Sequence, residues 1–290
     1  IFLEPFRLIN ESLSFGFGVP VILFNGETYL TTEIPKNYIF INLFYKLPEF
    51  VILAILIFII FFKKIQNYFK PKIKGFNFKI LILFTIILFP NILLWVNPYG
   101  VYDGFRLFIY LLPFISIIPA ILLYYLFKNK VLKICKFILA ALIFLQFFFV
   151  FNFVSLTPYH YVYLNIFAGK YSENMNKFEN DYWGVSTKKL INSINNYSNI
   201  FNEERIKIAT CGVEKNAQKT YLKKIKNIKF ELVDIDEDFD YIIMNNRIIW
   251  ESNSKKINEK QAQTCFEKFI GKDLITIKKR GLVLSKITKI

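Results

Sequence analysis

Residues 134–154 read ICKFILAALIFLQFFFVFNFV, an apolar stretch whose only charge is Lys136. A helix rising ~1.5 Å per residue needs about 20 residues to cross ~30 Å of hydrocarbon, so the stretch predicts a membrane span. Working outward from it, three more runs of that kind precede it: Ile39 to Phe62, Phe78 to Val96 and Phe105 to Phe127. Lys46 and Glu49 sit near the start of the first run, where long side chains reach the interface, so its uninterrupted apolar part begins beyond Glu49. After Ser155 the composition turns polar and rich in Lys and Asn, with no further run. The fold class expected is an α-helical multispan membrane domain with four transmembrane helices, followed by a small α/β extramembrane domain.

Lysine placement predicts the topology. The loop after the first run carries Lys63, Lys64, Lys70, Lys72, Lys74 and Lys79, and the loop after the third carries Lys128, Lys130, Lys133 and Lys136. The intervening loop, Asn97 to Gly104, has Asp103 and no lysine. Basic loops stay cytoplasmic, so the first 38 residues, the Asn97 to Gly104 loop and everything after Ser155 are expected outside. In a bacterium that is a multi-pass protein of the inner membrane with a periplasmic C-terminal domain. The chain opens Ile1-Phe2-Leu3 without a charged n-region, which reads as a start inside a longer protein with earlier spans.

The formal charge of +15 is no sign of nucleic-acid binding. Ten of the 37 basic residues lie in the two cytoplasmic loops, where topology and anionic lipid explain them. From Ser155 onward there are 23 basic and 16 acidic residues, interleaved with Asn and Ile, which reads as a solvated basic surface.

The domain reading follows. Residues 1–38, punctuated by Gly16, Gly18, Pro20, Gly26 and Pro35, form an irregular external loop region of the membrane domain. Residues 39–154 are the four-helix region, 155–200 an external aromatic and polar connector with a helix over Ser186 to Tyr197, and 201–290 a small α/β domain. There, strands are predicted at Ile206 to Cys211, Ile228 to Val233, Asp240 to Met244, Leu274 to Lys278 and Leu282 to Ile287. Helices are predicted at Asn216 to Lys226 and Glu259 to Phe269. Lys279-Arg280-Gly281 is the turn of a closing hairpin.

Cys135 reads as a small buried apolar residue. Cys211 and Cys265 share the external domain, where they are either disulfide-bonded or two buried thiols. With a single histidine and no close Cys or His pairing, no metal site is expected, no cofactor is evident, and metal dependence is unreadable.

The motifs with chemical potential all fall outside the membrane. In Tyr102-Asp103-Gly104-Phe105-Arg106, Asp103 is placed as a helix N-cap or a ligand. Arg106, about one turn into the third helix, suits a phosphate near a helix N-terminus or reaches lipid headgroups. Beyond the fourth run come Pro158-Tyr159-His160-Tyr161-Val162-Tyr163 and Glu179-Asn180-Asp181-Tyr182-Trp183-Gly184. Interfacial aromatics explain Tyr161 and Tyr163. Glu179, Asp181, Tyr182 and Trp183 combine acids and aromatics as sugar sites do, or else anchor the soluble domain.

Taken in order, Ile34-Pro35-Lys36-Asn37-Tyr38, Lys46-Leu47-Pro48, Tyr102 to Arg106, Pro158 to Tyr163, Asn165 and Asp181-Tyr182-Trp183-Gly184 resemble the C-terminal half of bacterial family 39-like glycosyltransferases. These are GT-C type enzymes related to protein O-mannosyltransferases and aminoarabinose transferases. The resemblance covers the chain to about Gly184 and runs more loosely through the tail. It departs where members often carry His after the arginine of the Tyr-Asp-Gly motif; this chain has Leu107, which leaves any such role to another residue, His160 among them.

The resemblance implies transfer of a sugar from a polyprenyl-phosphate donor to a glycan, lipid or protein acceptor at the periplasmic face. The general base would lie upstream of Ile1, and the 290 residues alone are expected to be inactive. Arg106 and Lys36 would face the donor phosphate, while Glu33, Asp103 and His160 would orient hydroxyls. The alternative is a non-catalytic membrane-anchored assembly protein whose α/β domain binds a partner. A transporter fits least, because the runs lack intramembrane charges and most helix interruptions, Pro90, Pro113 and Pro119 aside.

Overall fold

The computed structural model describes Glu4, Arg7 and residues 21–96, 100–101, 104–181, 183–194, 205–225, 229–249 and 262–290. The chain forms two compact units, one built mainly on Thr31–Ser155 with Leu164–Phe167, the other on Leu156–Tyr163 and Ala168–Ile290 with the segment ending at Leu30.

In the first unit the opening apolar run is broken. Helix α1 (Tyr38–Lys46) and helix α2 (Glu49–Ile60) meet at a bend of 114°. Pro48 forces the break: the residue before a proline is driven out of the helical region, and Leu47 sits at φ −74, ψ 142. A short α3 (Phe62–Phe69) follows. Helices α4 (Phe76–Val96), α5 (Leu111–Lys128) and α6 (Lys133–Val154) are each long and apolar enough to cross a membrane; counting the bent pair as one span makes four. This marks a multi-pass membrane protein.

The start of α5 corrects the sequence reading. Gly104 takes φ +62, and a 3₁₀ turn at Arg106–Phe108 precedes the helix, so Arg106 lies before the helix and not one turn inside it. Pro113 sits in the first turn of α5, where its missing N–H costs nothing. The interior packs Phe58 of α2, Ile65 of α3, Leu83 of α4 and Leu122 and Leu126 of α5. The outward faces expose Ile60, Val96, Phe144, Phe147 and Phe151. Only 6% of the apolar window of α6 is buried, a surface suited to lipid and not to water.

The second unit opens with a hairpin where the sequence reading had irregular backbone. Strand β1 (Val21–Phe24) pairs antiparallel with β2 (Glu27–Leu30) through Asn25 (φ 53) and Gly26 (φ 93). Two positive φ angles in a two-residue loop are the signature of an Asn-Gly hairpin turn. Helix α7 (Val185–Ile194) follows, and then a mixed sheet of β3 (Arg205–Cys211), β4 (Lys229–Leu232), β5 (Tyr241–Asn245), β8 (Lys272–Lys279) and β9 (Leu282–Lys289). The order is β4-β3-β5-β9-β8, with β3 parallel to β4 and β5, and β9 antiparallel to β5 and β8. Helix α8 (Lys215–Leu222) connects β3 to β4.

Helix α7 packs Leu190, Ile191 and Ile194 inward and contacts β8, β9 and β5. Ala209, Cys211, Ile242 and Met244, alternate residues of neighbouring strands, close over Cys265 and Phe266 of the short helix α9 (Cys265–Lys268). Cys211 and Cys265 are disulfide-bonded. Of the helix expected over Glu259 to Phe269, residues 259–261 lie outside the described residues; Gln263–Thr264 is strand β7, paired antiparallel with β6 (Ile248–Ile249), and a Thr264/Glu267 capping box starts the helix at Cys265.

Candidate functional site

In the first unit, helix α1 presents Tyr38, Asn42 and Lys46, one residue per turn along one side, to the turn at Gly104. The Tyr38 hydroxyl donates to the Gly104 carbonyl at 3.0 Å. A Cβ built on Gly104 would collide with Lys46 Nζ and lie 3.3 Å from Asn42 Oδ1. The ammonium and the amide oxygen therefore both reach the backbone two residues before Arg106. Asn42 is fully buried; its Nδ2 donates to the Tyr38 carbonyl at 3.0 Å, and its Oδ1 has no hydrogen-bond partner among the described residues. A buried amide oxygen without a donor is costly, and a ligand hydroxyl is the kind of group that satisfies it.

The broken helix holds this arrangement in place. Asn165 Nδ2 donates to the carbonyls of Phe44 (2.5 Å) and Leu47 (2.9 Å), and its own N–H donates to the Tyr45 carbonyl at 2.9 Å. These are the carbonyls that the end of α1 leaves unsatisfied. Glu49, buried at the first position of α2, accepts from Ile166 N at 2.9 Å. Asn165 is thus a clamp on the helix break.

The other residues singled out in the sequence fall as follows. Glu33 and Lys36 are exposed, and the Lys36 carbonyl accepts from Trp95 Nε1 at 2.7 Å. Arg106 is exposed in the 3₁₀ turn. Asp103, with Tyr102, lies outside the described residues. In the second unit His160 is half-buried, with Nε2 3.0 Å from Thr157 Oγ1.

Asp181 turns inward, not toward a sugar. At 1% exposure its carboxylate accepts from Tyr161 Oη (2.5 Å), Val185 N (2.8 Å), Ser186 N (2.8 Å) and Ser186 Oγ. Four donors fill the four lone-pair sites of a carboxylate. Two of them are the opening amides of α7, so Asp181 caps that helix and meets its positive end. Ser285 Oγ, 2.6 Å from Ser186 Oγ, extends the buried chain, and Asn245 Nδ2 donates to the Asp181 carbonyl at 2.6 Å. Burial first, and the Asp181 charge second, push the Tyr161 hydroxyl well above the usual tyrosine range and keep it a donor.

The acid and aromatic cluster is therefore split. Glu179 accepts from Ile248 N at 3.2 Å, and Trp183 faces outward, 63% exposed. Tyr182 lies outside the described residues. Asn42 and Lys46 are the site residues the sequence reading missed; the signal was their four-residue spacing from Tyr38, hidden because Lys46 passed for an interfacial lysine. Among the described residues no three of His, Cys, Asp and Glu converge as metal ligands would. No family model, curated protein or solved structure matches the chain.

Proposed function

We propose that the chain is part of a membrane glycosyltransferase that takes a sugar from a polyprenyl-phosphate donor and places it on an acceptor at the periplasmic face. The observation that carries the reading is the convergence of Lys46 Nζ and the orphaned Asn42 Oδ1 on the Gly104 turn, two residues from Arg106. Two cations suit the donor phosphate and stabilise charge developing on it as the glycosidic bond breaks. The amide oxygen suits a sugar hydroxyl. The order of motifs described from the sequence supports the same chemistry, and the Cys211–Cys265 disulfide favours an oxidising compartment for the C-terminal unit. The general base is assigned to no residue of this chain.

The test is transfer from a radiolabelled polyprenyl-phosphate sugar pool by the full-length gene product in membranes. Wild type is compared with Lys46→Ala and Arg106→Ala at matched expression. Loss of one charge-stabilising donor is expected to lower transfer about 100-fold. Equal transfer by all three would move the phosphate site elsewhere. Absence of transfer from every donor pool would leave a membrane-anchored assembly protein.

A further inference from the structure

The second unit contains a cleft of about 580 Å³ between α7, the end of β8 and the segment Thr157-Pro158-Tyr159. Its charged lining is Lys188 and Lys189 from α7 and Lys278 and Lys279 from β8, with no acid. Other lysines of the unit do meet carboxylates: Lys215 with Asp234, Lys286 with Asp273 and Lys170 with Glu173. Lys188, Lys189 and Lys278 have no such partner among the described residues. Two smaller clefts of the unit differ in kind: Glu231, Asp238 and Asp240 line one beside Lys207, and Glu27 and Glu267 line the other.

Lys278 and Lys279 are the last two residues of β8, paired with Val283 and Leu282 beside the Arg280-Gly281 turn, and both line the cleft. Lys279 Nζ is further held by the Thr157 carbonyl at 2.9 Å. On α7, Lys188, Lys189 and Asn192 occupy the side opposite the buried Leu190, Ile191 and Ile194. Four ammonium groups around one cleft repel each other, and an anion that enters it is attracted by all four.

We propose that this cleft binds a phosphate group, of the kind carried by a phospholipid headgroup or by a soluble phosphate compound. Lysines are compact, rotatable point charges that suit a phosphate, and the hydroxyl-bearing Thr157 and Ser193 with Asn192 add neutral donors at the same rim. Thr157 is three residues beyond Val154, where α6 ends, so at most ~11 Å of chain separates the rim from an apolar membrane helix. The cleft shares no residue with the Lys46 and Gly104 cluster, and the inference stands apart from the glycosyltransferase reading.

The experiment is quantitative amine-reactive labelling, read lysine by lysine by mass spectrometry, on the full chain. Dodecyl maltoside micelles, which hold no phosphate, are compared with discs containing phosphatidylglycerol and with the same micelles plus inorganic pyrophosphate. Lys188, Lys189 and Lys278 are expected to lose labelling several-fold, while Lys170 and Lys215 do not. Protection only in phosphatidylglycerol discs assigns the cleft to a headgroup; protection by pyrophosphate assigns it to a soluble phosphate. The double variant Lys188→Gln/Lys189→Gln, shown to be folded by its intact disulfide, is expected to remove the protection of Lys278. Undiminished labelling in every condition, or equal loss at all exposed lysines of the unit, would overturn the proposal.

Discussion

Asp181 shows how much a single buried carboxylate organises. Its four donors come from Tyr161, Val185 and both polar groups of Ser186, so replacing one oxygen by an amide sets N–H against N–H at the start of α7. Asp181→Asn is expected to destabilise the C-terminal unit by about 2–3 kcal/mol, seen as a lower midpoint in thermal unfolding of the detergent-solubilised protein. Tyr161 adds a pH term. Its hydroxyl is raised in the folded state from the ordinary 10.0, by burial and then by Asp181. Below pH 10 folded and unfolded chains both keep the proton; above it the unfolded chain ionises first, so stability falls as pH rises. Tyr161→Phe should cost about 1 kcal/mol at neutral pH yet flatten the alkaline loss of the unfolding midpoint. An unchanged alkaline slope would show that Tyr161 does not hold its proton in this way. The sequence displayed Asp181 beside Trp183 as one surface cluster, because adjacency in a turn does not reveal that one side chain points in and the next out. The cap was nonetheless readable, since Val185-Ser186 open a helix four residues later.

At the scale of elements, the break between α1 and α2 is held from a distance in sequence. Asn165, 2% exposed, supplies donors to two carbonyls at the end of α1 and accepts from Phe167 N at 3.1 Å. Asn165→Ala removes these bonds and strands buried carbonyls, at an expected cost of about 2–4 kcal/mol in the same unfolding measurement. Asn165→Asp should be worse than Ala, since it sets a carboxylate against the Phe44 and Leu47 oxygens; a milder effect would mean that the clamp is not electrostatic. The strands of the C-terminal sheet were legible because their apolar residues alternate, and the Arg280-Gly281 turn because Gly281 tolerates positive φ; Arg280 before it adopts positive φ as well. The β1–β2 hairpin was not, although Asn25-Gly26 is a strong turn signal. Val21, Ile22, Leu23 and Phe24 are all buried, so the strand lacks the alternation that betrays a half-exposed one. The broken first span was hidden for another reason: Lys46 and Glu49 passed for interfacial charges at the start of one span, so Pro48 between them was not read as a change of direction.

At the scale of the whole molecule, parity of crossings ties the lysines to the disulfide. If α4, α5 and α6 each cross once, the segment directly before Phe76, residues 61–75, and the α5–α6 loop lie on one side, and everything after Val154 on the other. The first side carries the basic loops and the second carries Cys211 and Cys265, so lysine retention in the cytoplasm and disulfide chemistry outside point the same way. The bent pair α1–α2 does not enter this parity, which makes the expectation insensitive to whether that pair spans. In a Cys135→Ala background with the disulfide intact, single cysteines at Gly75, Lys130 and Lys223 would be probed with a membrane-impermeant maleimide. A Cβ at Gly75 meets nothing within 4 Å, though its φ of +70 adds about 1–2 kcal/mol of local strain. Lys130 and Lys223 are exposed. Lys223→Cys is expected to label in cells whose inner membrane is intact, and Gly75→Cys and Lys130→Cys only after that membrane is permeabilised. The reverse pattern would place the C-terminal unit in the cytoplasm and take from the proposed transferase its periplasmic face. Labelling of Gly75→Cys and Lys130→Cys from opposite sides would break the parity itself, because α4 and α5 could not then both cross.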